Sequence, residues 1–288
     1  MLKLANFKYY AELIRLNRPI GIYLLLWPTL WGLWFAAQGI PDFKILIIFV
    51  LGVVLMRSAG CAINDYADRD IDLLVARTKD RPLTSGKISA KEALAVFAVL
   101  SLIAFFLVLQ LNRNTILLSV VAVILAASYP FMKRYHYFPQ VHLGAAFAWA
   151  IPMAYTAMNK EPPPLDAWLL FFAALLWTTA YDTQYGMVDI EDDLKIGVKS
   201  TAIFFGKNDT FIIGILHLLT LMIITIVGIM NDRGSIFYIS ILIASGFAIY
   251  QQFLTQNKEP QKCLQAFLNN NWLGMIIFIG IAMDYFVQ

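Results

Sequence analysis

The sequence predicts an all-α integral membrane protein of nine transmembrane helices, with the N-terminus in the cytoplasm and the C-terminus outside. Composition is the first observation: of 288 residues, 60% are hydrophobic and only 14% charged, with a mean hydropathy of +0.67. Soluble domains are about half apolar and about a quarter charged, so this chain belongs in lipid. Apolar runs are the second: stretches of about 20 residues, enough to cross ~30 Å of hydrocarbon at helical rise, recur along the whole length. Charge asymmetry is the third and fixes the orientation. Of the 22 Lys and Arg residues, Lys44, Arg113, Lys160 and Arg233 fall on one side and Arg57 lies within a span; all the others share the opposite side. Basic loops stay in the cytoplasm.

In chain order, the segment 1–19 carries a basic, amphipathic pattern and reads as a helix lying on the membrane. It lacks the form of a cleaved signal peptide, and Glu12 makes it a poor transit peptide. Spans are expected at 20–38, 44–63, 91–111, 114–132, 138–158, 165–182, 209–230, 235–254 and 269–286. Their connections alternate, with 64–90 and 183–208 long and charged while 39–43, 112–113 and 231–234 are short. Residues 1–288 therefore read as one membrane-embedded domain. A net charge of +3 with no basic block argues against nucleic acid as a partner. Cys61 and Cys263 show no pairing pattern and are expected as free thiols. Trp27, Trp31 and Trp34 read as packing and interface anchors, and His136, His142 and His217 have no metal spacing.

The chemistry concentrates in the two long cytoplasmic connections. On a helix Arg57, Cys61, Asn64, Asp68 and Asp72 would share one face as the second span leaves the membrane. Asp68 and Asp72, one turn apart, suit a hard divalent cation such as Mg²⁺, which keeps positions open for substrate phosphates. The second connection echoes the first: DRDID around Asp68 has a counterpart in DIEDD around Asp189, giving a second pair, Asp189 and Asp193, expected to continue the sixth span. Each pair runs into a basic, hydroxyl-bearing stretch, ARTKDRPLTSGK or KIGVKST. Tyr129 and Lys133 stand one turn apart at the end of the fourth span, with Arg134 adjacent and Pro130 loosening the helix end. Two acidic pairs and a basic set on one membrane face suit a diphosphate bound through Mg²⁺. A diphosphate site opening into an apolar bundle implies a lipid tail. An allylic diphosphate would ionise to a delocalised cation, which water-excluding apolar and aromatic walls would protect.

The run NDYADRDID fits the N-D-x-x-D-x-x-x-D motif of the UbiA-type membrane aromatic prenyltransferases, with Asn64, Asp65, Asp68 and Asp72 in its fixed places. Asp189 and Asp193 meet the second motif, D-x-x-x-D, and Tyr129 and Lys133 meet Y-x-x-x-K. The resemblance extends from RLNRPIGIYLLLWPTLWGLW through YPFMKR, LGAAFAWAIPMA and YDTQYGMVD to NNNWLG, and is strongest to the bacterial branch acting on 4-hydroxybenzoate in ubiquinone biosynthesis. It implies nine helices around a central cavity capped by cytoplasmic loops, in the inner (cytoplasmic) membrane of a bacterium. It implies a polyprenyl diphosphate donor, Mg²⁺ as cofactor, and alkylation of 4-hydroxybenzoate on the ring carbon beside its hydroxyl.

By position in those motifs, Asp68 and Asp72 would hold one Mg²⁺ and Asp189 and Asp193 another, with Asn64 as a further ligand and Asp65 and Asp192 in support. Lys133, Arg134, Arg69 and Tyr129 would face the diphosphate. Arg57, Arg18 and Asp182 are expected around the aromatic acid, with Arg57 or Arg18 as the partner of its carboxylate, since an Arg fork matches a planar carboxylate bidentately. Asp70 is an extra acid inside the first motif with no assigned role. Three other readings are a relative with a different acceptor (homogentisate, a naphthoate, haem or a chlorin), an ion-coupled transporter, and a scaffold. Transporters bury their polar site near the midplane, whereas these carboxylates gather at one face; a scaffold leaves the matched Asp pairs unexplained.

Overall fold

A computed structural model of the protein describes residues 2–74 and 78–288; Arg77, one of the basic residues counted above, lies outside them. Helices are the regular elements among the described residues, because in hydrocarbon a helix satisfies its backbone donors and acceptors internally. A 3-10 turn, Leu4–Asn6, leads into α1 (Phe7–Leu13). Then come α2 (Ile20–Ala37), α3 (Phe43–Asp68), α4 (Ala90–Val108) and α5 (Arg113–Met132). α6 (Pro139–Ala148) and α7 (Ala150–Asn159) form one broken rod, followed by α8 (Leu165–Gly186), α9 (Ile190–Ile196) and α10 (Thr201–Phe205). α11 (Asp209–Met230), α12 (Ser235–Thr255) and α13 (Pro260–Val287) complete the chain.

Local chemistry sets the boundaries. Asp42 caps α3 by accepting from the Ile45 N–H, and Ser89 with Glu92 forms a reciprocal capping box on α4. The rod breaks at Trp149 because Pro152, three residues on, has no N–H to offer the Ala148 carbonyl. Among the described residues, eight helical segments are long and apolar enough to cross a membrane, counting Pro139–Asn159 as one and Thr201–Met230 as one. The remaining expected span, 165–182, lies in α8, whose C-terminal part carries Thr178, Thr179, Asp182, Thr183 and Gln184.

Two expectations about helix continuity are corrected. α3 stops at Asp68; the Ile71 N–H closes a tight turn on the Asp68 carbonyl at 2.8 Å, and Asp72 opens a separate 3-10 turn, Asp72–Leu74. A continued helix would stack two buried carboxylates one turn apart; the break delivers Asp72 to Arg81, 2.6 Å away. Likewise α8 ends at Gly186, and Asp189 is the N-cap of α9 rather than a continuation of α8.

The main core joins α2, α7, α8, α11, α12 and α13. Small residues let these helices approach: a Cβ on Gly274 would collide with Trp177 and Trp27. Trp27, Trp31 and Trp34 pack in and against this core, as expected of anchors. By contrast α4 and α5 stand at the periphery, where Leu102, Phe106, Leu117 and Ile124 are each more than half exposed, the composition of a lipid-facing surface. Cys61 and Cys263 are both free and buried.

A polar network within the apolar core fixes helix register. Trp177 Nε1 donates to Asn270 Oδ1 at 2.8 Å, and Asn270 Nδ2 donates to Gln184 Oε1 at 2.8 Å. Gln184 Nε2 reaches Gln251 Oε1 at 3.3 Å, whose own Nε2 donates to Asn269 Oδ1 at 3.0 Å. Trp27 Nε1 donates to Asn271 Oδ1 at 2.9 Å. The three consecutive asparagines thus tie α13 to α2, α8 and α12.

Replacing Asn270 by Ala orphans two buried partners. It is expected to destabilise the protein by about 1–3 kcal/mol, the usual cost of a buried polar group left unpaired. The measurement is the Tm in detergent, compared with Trp272→Phe at a half-exposed position, which should be silent.

Candidate active site

Two cavities meet at the end of the bundle where the long connections lie. The larger, of about 870 Å³, runs between α2, α3, α4, α5 and α6–α7 and is walled by apolar side chains such as Phe49, Val53, Met56, Phe105, Val123 and Phe147. The smaller, of about 190 Å³, is polar and is lined by Asn64, Asp68, Asp72, Asp189 and Asp193, with Arg81, Lys133, Lys199 and Ser200. Both acidic pairs therefore face one space, although they lie on different elements from those expected. Asn64, Arg81, Tyr129, Leu143, Asp182 and Tyr185 line both cavities and form the shared wall.

A buried carboxylate is costly unless compensated, and each acid of the first motif has a cation of the chain against it. Lys133 Nζ lies 2.6 Å from Asp68 Oδ2, and Arg134 approaches Asp68 Oδ1 at 3.7 Å while donating to the Ala67 carbonyl. Arg81 Nη1 is shared between Asp72 Oδ2 at 2.6 Å and Asp65 Oδ1 at 3.1 Å. Thr78 Oγ1 donates to the Asp72 carbonyl at 2.9 Å and anchors the turn. Tyr129 donates its hydroxyl proton to Asn64 Oδ1 at 2.9 Å, linking α5 to α3.

The second connection is drawn over the first half of the chain. The Lys199 N–H donates to the Lys133 carbonyl at 3.1 Å and its Nζ to the Tyr135 carbonyl at 3.0 Å. Thr201 N–H donates to Gln140 Oε1 at 2.9 Å, and the hydroxyls of Thr183 and Thr201 share a hydrogen bond of 2.7 Å. These contacts bring α9, with Asp189 and Asp193, over the polar cavity.

Other expected site residues lie elsewhere. Arg69 stacks on Tyr66, donates to the Tyr66 carbonyl and reaches the exposed Asp70 at 3.6 Å, away from the lining of either cavity. The break after Asp68 turns it outward. Asp192 points out to Lys195, 3.4 Å away, because residues 189 and 193 occupy the inward face of α9. Arg134 is held beside Asp68 but does not line the polar cavity.

Arg57 lines the large cavity two turns above Asn64. Its Nη1 donates to Cys61 Sγ at 2.8 Å, its guanidinium lies 5.8 Å from the Phe147 ring centroid, and its buried Nε has no partner. Gly21 makes room for it, since a Cβ there would collide with the guanidinium. Arg18 is exposed at the rim of the same cavity. Arg81, Lys199 and Tyr185 are lining residues that the motif reading passed over; the only sequence signal was that Arg81 and Lys199 belong to the basic stretches after each acidic pair.

Magnesium takes oxygen ligands and carries bound phosphates, and the residues present fit it. Asp68 Oδ1 is buried without a hydrogen-bond partner. Around the polar cavity the four motif aspartates outnumber Arg81, Lys133 and Lys199, so the lining is acidic and favours added cations. Among the described residues no group of three or more His, Cys, Asp or Glu is already gathered as a cation cage; the four aspartates line one cavity of about 190 Å³.

Residues 25–277 match the UbiA prenyltransferase family. A protein of Alkalilimnicola ehrlichii named 4-hydroxybenzoate octaprenyltransferase is 58% identical over 275 residues, which is 96% of this chain and 94% of the relative. The apo structure of a UbiA homolog from Aeropyrum pernix K1 is similar with a TM-score of 0.81 at 28% identity, covering 91% of this chain and 97% of that one. A UbiA homolog from Archaeoglobus fulgidus, solved bound to GPP and Mg²⁺, shares the fold with a TM-score of 0.70 at 21% identity, over 96% and 99% of the two chains.

The two thiols should differ in reactivity. Cys61 faces the large cavity beside a guanidinium, whereas Cys263 is enclosed by the core at 0% exposure. N-ethylmaleimide applied to the folded protein is expected to modify Cys61 several times faster, read by peptide mass spectrometry; equal rates would contradict the open cavity.

Proposed function

The chain belongs to the UbiA prenyltransferase family, and we propose that it transfers a polyprenyl group from polyprenyl diphosphate to the ring carbon ortho to the hydroxyl of 4-hydroxybenzoate, a step of ubiquinone biosynthesis. One observation carries this reading: an acidic cavity lined by both aspartate pairs shares a wall with a larger apolar cavity. That is the shape and polarity of a diphosphate joined to a hydrocarbon tail. The octaprenyl group in the relative's name supports a long donor.

The diphosphate sits in the polar cavity, where Lys133, Lys199 and Arg81 meet its oxygens. Asp68, Asp72, Asp189 and Asp193, with Asn64, would hold Mg²⁺. Bound there, the metal would neutralise the diphosphate and favour its departure; the Mg²⁺ found with the Archaeoglobus fulgidus homolog supports this. Tyr129 holds the Asn64 carboxamide toward the shared wall. The prenyl tail lies along the apolar cavity, whose walls keep water from the allylic cation left when the C–O bond breaks.

The aromatic acid takes the same cavity from the Arg57 side. The Arg57 guanidinium, confined by Cys61, Phe147 and Gly21, fits a planar carboxylate. Arg18 at the rim attracts the acid on its way in. The ring carbon beside the hydroxyl, made electron-rich by that oxygen, then attacks the cation and forms the C–C bond. Its proton leaves to a departing diphosphate oxygen or to Asp182, whose carboxylate lines both cavities.

The membrane arrangement follows from the same reading. Nine crossings are formed by α2, α3, α4, α5, the α6–α7 rod, α8, α11, α12 and α13. α1 lies on the cytoplasmic surface, and both long connections cap the site from the cytoplasm. The one-sided distribution of Lys and Arg supports this orientation in the bacterial inner membrane.

Radiolabelled 4-hydroxybenzoate incubated with polyprenyl diphosphate and membranes holding the protein should give labelled prenyl product with Mg²⁺ and none after EDTA. Activity surviving EDTA would end the metal role. Asp68→Asn and Asp189→Ala are each expected to abolish turnover while the protein still folds, read by its elution as a single species in detergent. Arg57→Ala should raise the KM of the aromatic acid by about 10-fold or more, in line with a lost charged hydrogen bond, with the donor KM unmoved. Equal effects on both substrates would rule Arg57 out as the carboxylate partner.

A further inference from the structure

Arg15 has no part in the chemistry above, yet it is held in an unusual way. It lies in the turn between α1 and α2 with φ of 61°, a left-handed conformation uncommon for a side chain of this size. The turn aims its guanidinium inward. Nη1 donates to the carbonyls of Glu12 and Leu13, both at 3.0 Å, while Nη2 grips Asp65 at 2.7 Å to Oδ1 and 2.9 Å to Oδ2. Asp65 is fully buried, and its second cation is Arg81, which also holds Asp72. A line of charge-assisted contacts thus runs from Arg15 through Asp65 and Arg81 to Asp72.

The other end of the N-terminal segment is fastened as well. Tyr10 donates its hydroxyl proton to Glu92 Oε1 at 2.6 Å, and Asn6 Nδ2 donates to the same oxygen at 2.8 Å. Asp65 lies at the end of α3 and Glu92 in the first turn of α4. The segment before α2 therefore spans both stems of the connection that carries Asp72.

We propose that Arg15 is a positioning residue for the metal-binding Asp72, acting through Asp65 and Arg81. This rests on the assignment of Asp72 as a Mg²⁺ ligand. Without Arg15, Arg81 is the cation left to the buried Asp65 among the described residues, and Arg81 is drawn toward Asp65 and off Asp72. The Asp72 carboxylate then loses its fixed place on the cavity wall, and outer-shell losses of this kind weaken metal binding.

Mn²⁺ alone, titrated into the purified full-length protein and followed by EPR of the free ion, reads the metal site without turnover. Arg15→Ala should raise the half-saturating Mn²⁺ concentration at least about tenfold, with Arg15→Lys raising it less and the KM for 4-hydroxybenzoate unchanged in both. Asp65→Asn removes the carboxylate that would draw Arg81 away, so it should bind Mn²⁺ much as the parent does and should restore binding when combined with Arg15→Ala. Parent-like Mn²⁺ binding in Arg15→Ala, or a double variant that binds as weakly as Arg15→Ala, would overturn the proposal. If Arg15→Ala does not fold, Arg15→Gln decides in the same way: a rise of about tenfold supports the role and an unchanged value overturns it. Asp72→Asn separates the two levels. Unchanged Mn²⁺ binding there removes the assignment of Asp72 itself, whereas a loss there with none in Arg15→Ala removes only the role of Arg15.

Discussion

Charge compensation at the rim of an apolar bundle is the constraint on which this structure turns. Asp65, Asp68 and Asp72 are each at most 5% exposed, and a carboxylate withdrawn from water that far needs a cation. The chain supplies Arg15, Arg81 and Lys133 from three separate segments. Meeting that need pulls the first long connection down onto α3, ties the N-terminal segment to both, and sets Lys133 at the end of α5 against them. The second connection is then fastened to Lys133 through its carbonyl. One electrostatic requirement thus assembles four distant stretches of sequence around a single polar space.

The same pairing bears on how the site treats a polyanion. With Asp72 holding Arg81 and Asp68 holding Lys133, the basic groups that a diphosphate would use are already engaged. A diphosphate arriving alone would have to take these cations from buried acids, at the cost of leaving the acids bare. Divalent cations arriving with it resolve the exchange, because they can satisfy the aspartates while Lys133 turns to phosphate oxygens and Arg81 meets them from its place on Asp65 and Asp72. The metal dependence proposed above would then follow from the balance of charge in the cavity as well as from the chemistry of a leaving group.

Much of this was legible in the sequence, and the part that was not has a common cause. Apolar runs marked most ends of the long helices to within a few residues, since lipid thickness fixes their length; α13 is the exception, beginning at Pro260 rather than near 269 because its first turns are polar (Gln261, Lys262, Gln265) and carry no apolar signal. The D-x-x-x-D spacing marked the acids that share the polar cavity. The assumption that fails is helical continuity: i,i+4 spacing implies one face only if the helix persists, and it stops at Asp68 and at Gly186. Those stops turn Arg69 and Asp192 outward although both lie within acidic motifs. Arg15 and Arg81 were passed over because their meaning lies in partners far along the chain, Asp65 being 50 residues from Arg15. The run NNN at 269–271 likewise looks like a polar blemish in a span until Trp177, Gln184, Gln251 and Trp27 are seen around it.

The division of the bundle explains why one fold can hold both a charged head and a reactive, water-sensitive tail. α2, α8, α11, α12 and α13 form a packed body in which aromatic contacts such as Trp31 with Trp177 and polar ties such as Trp177 with Asn270 fix helix positions. The apolar cavity lies on the other flank, where α4 and α5 line it while presenting apolar faces outward. An amphiphile drawn from a bilayer brings its head to the interface and its tail into hydrocarbon, and the two cavities reproduce that arrangement within the protein. The tail then exchanges one apolar environment for another at little cost in free energy. Binding selectivity is left to the charged end, where geometry and charge discriminate most strongly. For a reaction whose cation must meet an aromatic ring before it meets water, acids around one cavity and an apolar cavity lined by Arg57 and Phe147 beyond the shared wall would keep hydration at the head and away from the reacting carbon, as the proposed function requires.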